Sequence, residues 1–209
     1  RPKKGKRVSR LEKVKKIKII NTNIRSLDYT PPNVTEIFIK KGNMALAQFN
    51  NISQNVTKIE IINNRLVMTA NLYNLVNLTF LDLSQNNIHG IPKLPVNLKT
   101  FIATHNKIKE IQNLNDNLME LNLSNNLIEQ VCNIPLNIEL LNVSRNLIKH
   151  VNLSSFNNLK VFKAYNNFID LIIGPISPKM EVFDVFNNQL TQVPELGINI
   201  KEIDLSNND

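Results

Sequence analysis

Three histidines, one cysteine and carboxylates such as the four that fall on predicted strands are the residues of this 209-residue chain that we consider for chemistry. An imidazole can act as a general base or bind a metal ion, and a thiolate can act as a nucleophile or a ligand. Neighbouring carboxylates can transfer protons. Any such chemistry requires that the fold bring these groups together. They are His89, His105, His150, Cys132, Asp82, Glu120, Asp184 and Asp204.

The elements that must position them follow a repeat with the pattern L-x-x-L-x-L-x-x-N-x-L, whose positions we number 1 to 11. In the sixth unit the pattern is carried by Leu118, Leu121, Leu123, Asn126 and Ile128. Apolar residues alternating at positions 4 and 6 predict a short strand with one buried face, and stacked units predict a parallel sheet. Ten units fit, starting at Val14, Val34, Val56, Leu78, Leu98, Leu118, Ile138, Leu159, Met180 and Ile200.

This pattern resembles that of leucine-rich repeat proteins, which implies an α/β-class solenoid: a curved arc with a parallel sheet on its concave side. The short unit, with prolines as in 91–97, is similar to repeats of bacterial type III effectors and of leucine-rich proteins from large DNA viruses and protists. Because so short a unit has no room for a full helix, the convex side is expected to be mostly extended. Short helical turns are expected at Ala45–Asn50 and Ala70–Leu75.

Asparagine recurs at two places in the unit. At position 9, a carboxamide that both donates and accepts hydrogen bonds predicts an internal ladder that satisfies the backbone of each turn. A second asparagine lies immediately before most strands, as Asn97 and Asn117 do. The predicted ladder consists of Asn64, Asn86, Asn106, Asn126, Asn146, Asn167, Asn188 and Asn208.

The repeat separates the candidate catalytic groups. The three histidines fall at positions 12, 8 and 13 of their units, so they are not expected to converge on one metal ion. Cys132 falls at the fifteenth residue of its unit, and we expect a buried or half-buried structural thiol there. The five glycines are scattered and form no phosphate-binding loop. The sequence therefore predicts a chain without enzymatic activity, metal or cofactor.

The outward-facing strand positions 3, 5 and 7, with position 8 at their rim, predict a binding surface. An extended concave face of this kind usually binds another macromolecule, so we predict a scaffold for protein–protein interaction with a protein partner. The first cluster on this face consists of Phe80, Asp82, Ile102, Thr104 and His105. The second cluster consists of Val161, Lys163, Tyr165, Val182, Asp184 and Phe186.

The second cluster is the favoured site. Tyr165 and Phe186 share position 7 of adjacent units, and Lys163 and Asp184 share position 5. Aromatic side chains beside a pair of opposite charges are typical of interface hot spots. The alternative is that the two rings stack on each other and only strengthen strand pairing.

The formal net charge of +8 resides in the first sixteen residues, which hold nine of the 25 basic residues and one of the 17 acidic ones. We therefore divide the chain into a basic N-terminal arm or cap, 1–13, and a repeat domain, 14–209. The arm is either a solvated tail, a non-specific anchor for nucleic acid or an acidic surface through residues 1–16, or a targeting patch. Its basic residues are Lys3, Lys4, Lys6, Arg7 and Arg10.

Two further functions stay open at this point. The chain could be a structural component of a large assembly, such as a virion or ribonucleoprotein particle, anchored through its arm. It could also be the recognition domain of an effector whose catalytic domain lies outside this sequence. One cysteine, no secretory signal and no apolar run long enough for a transmembrane segment predict an intracellular location.

Overall fold

The repeat units form a solenoid in the computed structural model, which describes residues 12–24, 27, 30–43, 46–48 and 51–209. Ten strands, one from each unit, build one parallel sheet in chain order. They are β1 (Lys16–Ile20), β2 (Glu36–Lys40), β4 (Lys58–Ile62), β6 (Phe80–Asp82), β7 (Thr100–Ile102), β8 (Glu120–Asn122), β9 (Leu140–Asn142), β11 (Val161–Lys163), β13 (Val182–Asp184) and β14 (Glu202–Asp204). The predicted strand and parallel sheet are confirmed.

The core explains the repeat pattern. Position 4 is fully buried in the third to ninth units, at Ile59, Leu81, Phe101, Leu121, Leu141, Phe162 and Phe183. The strands pair in register, so equal positions of adjacent units are lateral neighbours, as Phe162 is to Leu141 and Phe183. No unit can bury its apolar residues alone, and stability therefore comes from stacking.

The opposite side of the solenoid has little helix. It carries two small parallel sheets, in which β3 (Leu46–Gln48) pairs with β5 (Met68–Ala70) and β10 (His150–Asn152) pairs with β12 (Leu171–Ile173). Within Ala70–Leu75 one turn of 3-10 helix spans Leu72–Asn74. The turn expected at Ala45–Asn50 is wrong for its described part, Leu46–Gln48, because that backbone bonds laterally to the next unit as a strand.

The position 9 asparagines connect adjacent units. Asn126 donates its Nδ2 hydrogens to the carbonyl oxygens of Ala103 at 2.9 Å and Leu123 at 2.9 Å. Its Oδ1 accepts the backbone N–H of Ile108 in the preceding unit at 3.0 Å. The same contacts recur at Asn106 and Asn146, so these buried amides satisfy the backbone where each strand ends.

The second asparagine forms another row, at the edge where the strands begin. Asn97, Asn117 and Asn137 each donate Nδ2 to a carbonyl oxygen of the preceding unit, at 2.9, 3.0 and 3.1 Å. These side chains are exposed, and each makes one such contact. They therefore stitch units together at the surface, whereas the position 9 amides do so in the interior.

Position 8 has a left-handed backbone in all ten units, with φ between 51° and 57°. Asparagine tolerates this region better than most residues do, and six of the ten are asparagine. The ten residues are Asn21, Lys41, Asn63, Gln85, His105, Asn125, Arg145, Asn166, Asn187 and Asn207.

The basic arm falls outside this description. Lys3, Lys4, Lys6, Arg7 and Arg10 lie outside the described residues, so the arm and its boundary stay predictions. Within the described ranges, no helix has the length and apolar character needed to cross a membrane.

Candidate functional site

The second cluster is assembled by β11 and β13 on the concave face. Their register places Val161 beside Val182 and Lys163 beside Asp184. Tyr165 and Phe186 follow at position 7, where the N–H of Asn166 donates to the carbonyl of Phe186 at 2.9 Å. The six side chains thus form one patch, and all are half-buried rather than enclosed.

Tyr165 makes its ring contact with Arg145. The Arg145 guanidinium lies 5.8 Å from the centroid of the Tyr165 ring, a distance at which a cation is attracted to the face of an aromatic ring. Among the described residues the one ring pair is Phe162 with Phe183, in the core, and not Tyr165 with Phe186. Stacking of the two surface rings on each other therefore does not account for their presence.

Lys163 and Asp184 are lateral neighbours, but no ion pair joins their side chains in the described part of the chain. Asp184 Oδ1 instead accepts the backbone N–H of Phe186 at 3.2 Å. Burial, with smaller contributions from Asp204 and Glu202, raises the pKa of Asp184 above its usual range. Neither charge is therefore held by the other in an ion pair.

The first cluster lies nearer the N-terminal end, on β6 and β7. Lys58 Nζ lies 4.5 Å from the centroid of the Phe80 ring and 3.2 Å from Glu60 Oε1. Asp82 is the lateral neighbour of both Glu60 and Ile102. An internal lysine therefore already occupies the ring and one carboxylate, which leaves this cluster less open than the second.

The candidate catalytic groups lie mostly apart, although Cys132 and His150 line one depression on the convex side. His89, His105 and His150 are all exposed; His105 Nδ1 lies 3.3 Å from Thr104 Oγ1, and His150 Nδ1 lies 2.7 Å from Asp170 Oδ1 on the convex side. Across the described part of the chain, no group of three His, Cys, Asp or Glu side chains could hold a metal ion.

Cys132 corrects one expectation. It is exposed, not buried or half-buried. The reason is the direction of its neighbours: Val131 and Ile134 pack against the core, and Cys132 between them faces outward.

Asp82 gives a prediction on pH. Burial, with a smaller contribution from Glu60, raises the pKa of Asp82 above its usual range, although Ser84 donates hydrogen bonds that oppose this. A carboxyl whose pKa is higher in the folded than in the unfolded protein costs stability once pH rises through its pKa. We therefore expect Asp82→Asn to melt at a higher temperature than the native chain at pH 7 and at the same temperature near pH 3.

Other units of the chain show that asparagine fits at this position. Asn122 and Asn142 occupy the same position 5 and accept the same backbone hydrogen bond, from Ser124 at 3.1 Å and Ser144 at 3.0 Å. An asparagine at 82 can therefore keep the contact that Ser84 N–H makes with Asp82 Oδ1 at 2.8 Å. A lower melting temperature at pH 7 would mean that Lys58 stabilises the Asp82 carboxylate by more than burial costs.

Position 8 gives a second prediction. Gln85 has φ 57° and an exposed side chain, so Gln85→Asn should relieve backbone strain without loss of a packed contact. We expect the free energy of unfolding to rise by about 1 kcal/mol. Urea denaturation measures it, and the reverse change at an equivalent position, Asn125→Gln, should lower the value by a similar amount. Equal stability of the native chain and the two variants would contradict the claim that the backbone at Gln85 is strained.

Sequence reasoning missed the side chains that contact the clusters. Lys58, Glu60 and Arg145 lie at positions 3, 5 and 8 of units adjacent to Phe80, Asp82 and Tyr165. The repeat frame alone could have found Lys58 and Glu60, because equal positions of adjacent units are lateral neighbours, but not Arg145, which lies at position 8 while Tyr165 lies at position 7. The frame could not have shown that Lys163 and Asp184 stay apart, since that depends on the backbone N–H of Phe186.

Comparisons with known proteins agree with the fold. The family model described as Leucine Rich Repeat matches residues 77–98, about one unit. YopM from Yersinia enterocolitica superposes with a TM-score of 0.82 at 19% identity, over 95% of this chain and 42% of that one. YopM from Yersinia pestis, described as a leucine-rich effector protein, gives 0.75 at 22% identity, over 96% and 62%. Among curated proteins no match is found.

These similarities confirm the leucine-rich repeat solenoid. At such identities they concern the fold alone, and the chain spans less than two thirds of each YopM structure.

Proposed function

We propose that the chain is a non-enzymatic scaffold that binds a protein partner through the second cluster of its concave face. The observation that carries this proposal is the pair Tyr165 and Phe186, which lie side by side on an outward face without stacking on each other. Exposed aromatic side chains are the anchors that interfaces favour, and Phe186 makes no ring contact among the described residues, whereas Tyr165 has the Arg145 guanidinium 5.8 Å from its ring centroid. Lys163 and Asp184, unpaired beside them, supply a charge of each sign.

The described residues favour a binding role over catalysis. No group of three His, Cys, Asp or Glu side chains among them could hold a metal ion, and His89 and His105 lie away from the depression that Cys132 and His150 line. Repeat scaffolds present extended concave surfaces, and binding is their usual use. The proposal needs no cofactor.

The test is affinity capture with the chain as bait, at low and at physiological salt, followed by identification of the captured proteins. We expect the double variant Tyr165→Ala with Phe186→Ala to lose the specific partner, with a loss in affinity of about tenfold or more. The matched control removes two exposed apolar side chains at the opposite edge, Val96→Ala with Leu136→Ala, and should retain the partner. Retention by both variants would place the binding site elsewhere.

A second function is favoured by one observation, the likeness to YopM. Because the Yersinia pestis protein is described as an effector, the chain is a candidate for the recognition part of an effector. An assembly component anchored through residues 1–16 is the remaining alternative, which a salt-dependent gel shift of the chain with and without these residues would test. Unchanged nucleic-acid binding after their removal would exclude that anchor.

A further inference from the structure

The edge where the strands end carries a second ordered surface. Position 10 bonds laterally to the unit before it in the fourth to ninth units: the N–H groups of Lys107, Leu127, Leu147 and Phe168 donate to carbonyl oxygens of the preceding units at 2.8, 2.9, 2.8 and 2.9 Å. These hydrogen bonds hold the row at the regular spacing of a sheet. We use the name exit rim for Arg65, Lys107, Leu127, Leu147 and Phe168 of position 10, together with Arg145 of position 8.

The cations of the exit rim lack internal counter-charges. At the opposite edge and on the concave face, Lys16, Lys58, Lys160 and Lys201 each pair with a glutamate within 3.2 Å. By contrast, Arg65, Lys107 and Arg145 are exposed and form no ion pair with any described carboxylate. Positions 8 and 10 of the first nine units hold no Asp or Glu at all.

The rim continues as an apolar stripe in the sixth, seventh and eighth units. Leu127, Leu147 and Phe168 are 39%, 39% and 46% exposed in three successive copies of position 10. Leu147 and Phe168 also line a depression of about 780 Å³, whose other walls include the apolar Val131 and Ile173 and the charged Glu129 and Lys149. Contiguous exposed apolar residues beside a depression are typical of interaction sites.

We propose that the exit rim binds an extended acidic segment of a partner protein that also carries apolar side chains. Its carboxylates would neutralise Arg65, Lys107 and Arg145, and its apolar side chains would cover Leu127, Leu147 and Phe168. The rim runs over six units, a length of about 24 Å at strand spacing, which about seven extended residues can span. None of the rim residues belongs to either concave cluster, so the proposal does not rest on the concave-face function.

The apolar stripe is what favours a protein segment over nucleic acid. A phosphate backbone would also neutralise the cations, but binding of a single strand relies on aromatic platforms for its bases. The rim offers one ring, Phe168, at the end away from Arg65, and two aliphatic side chains between them. Aliphatic surface gains most from covering by the apolar side chains of a polypeptide.

The test starts from a displayed library of random twelve-residue peptides selected on the complete chain. We expect the enriched peptides to combine Asp or Glu with Leu, Ile or Phe. Their affinity should fall about tenfold for Lys107→Glu and for Phe168→Ser. The matched controls, Lys99→Glu and Leu136→Ser, change an exposed unpaired lysine and an exposed leucine at the other edge and should bind as the native chain does. Melting curves establish that all four variants fold.

Three results would overturn the proposal. The first is enrichment of basic or uncharged peptides, or of none. The second is a set of acidic–apolar peptides that bind the rim variants as tightly as the native chain. The third is binding of a twelve-nucleotide thymidine strand that Lys107→Glu weakens while Phe168→Ser does not, which would make the rim a phosphate-binding surface.

Discussion

Phe162→Ala is expected to lower the free energy of unfolding by about 4 kcal/mol. The Phe162 ring is fully buried, and its centroid lies 5.8 Å from that of Phe183 in the next unit. Its other lateral neighbour is Leu141. Truncation therefore leaves a cavity at the junction of three units, and units on either side lose part of the stacking on which they depend.

The control lies three residues along the chain. Tyr165 occupies the concave face and is half-buried, and its ring contact is with the Arg145 guanidinium. We expect Tyr165→Ala to cost about 1 kcal/mol or less. Urea denaturation of both variants gives the comparison. A cost for Tyr165 that equals that of Phe162 would assign the tyrosine to structure and remove the main argument for its role in binding.

Asn126→Ala is expected to lower the free energy of unfolding by about 3 kcal/mol, because it leaves the buried N–H of Ile108 without an acceptor and removes one of the two amide donors from each of two buried carbonyls. The carbonyl oxygens of Ala103 and Leu123 lose a donor, and the N–H of Ile108 loses its acceptor. These groups lie in the interior, where water cannot replace the amide.

Asn117→Ala is the matched control for this substitution, since it removes the same side chain from the exposed row. Asn117 donates one hydrogen bond to the carbonyl of Val96, at 3.0 Å, where water can take its place. We expect a cost of about 1 kcal/mol or less. Equal effects of the two substitutions would contradict the distinction between an interior and a surface row.

The fold could be predicted from the sequence because each unit needs an apolar residue at the buried strand position and a hydrogen-bonding side chain at the turn, and this requirement recurs ten times. Leucine or another apolar residue at position 4, as at Leu121, and asparagine at position 9, as at Asn126, satisfy it in nearly every unit. The failed helical turn at Ala45–Asn50 shows the limit. In its described part, Leu46–Gln48, lateral bonding to Met68–Ala70 decides the conformation, and a local sequence window contains neither partner.

The binding surfaces were less predictable, because they depend on which neighbouring residues contact each exposed side chain. Lys58 and Phe80 lie in adjacent units and contact each other, so the first cluster, which the sequence predicts to be open to a partner, already has a lysine at its aromatic ring. Exposure of Cys132 depends on how the segment between Val131 and Ile134 turns. The left-handed backbone at Gln85 and Arg145 has no signal in those residue types, which disfavour it.

The two proposed surfaces differ in chemistry. The concave cluster offers Tyr165 and Phe186 with one charge of each sign, whereas the exit rim offers cations followed by an aliphatic stripe. A partner that used both would contact the sheet face and its edge at once around Arg145, which contacts the Tyr165 ring and also belongs to the rim.

Photo-crosslinking from the concave face tests the central proposal most directly. A photoreactive benzoylphenylalanine is placed at Phe186 in one chain and at Leu136, on the opposite edge, in another, and each is irradiated with the captured partner. We predict a covalent adduct with the partner from Phe186 and none from Leu136. An adduct from Leu136 alone would contradict binding through the concave face.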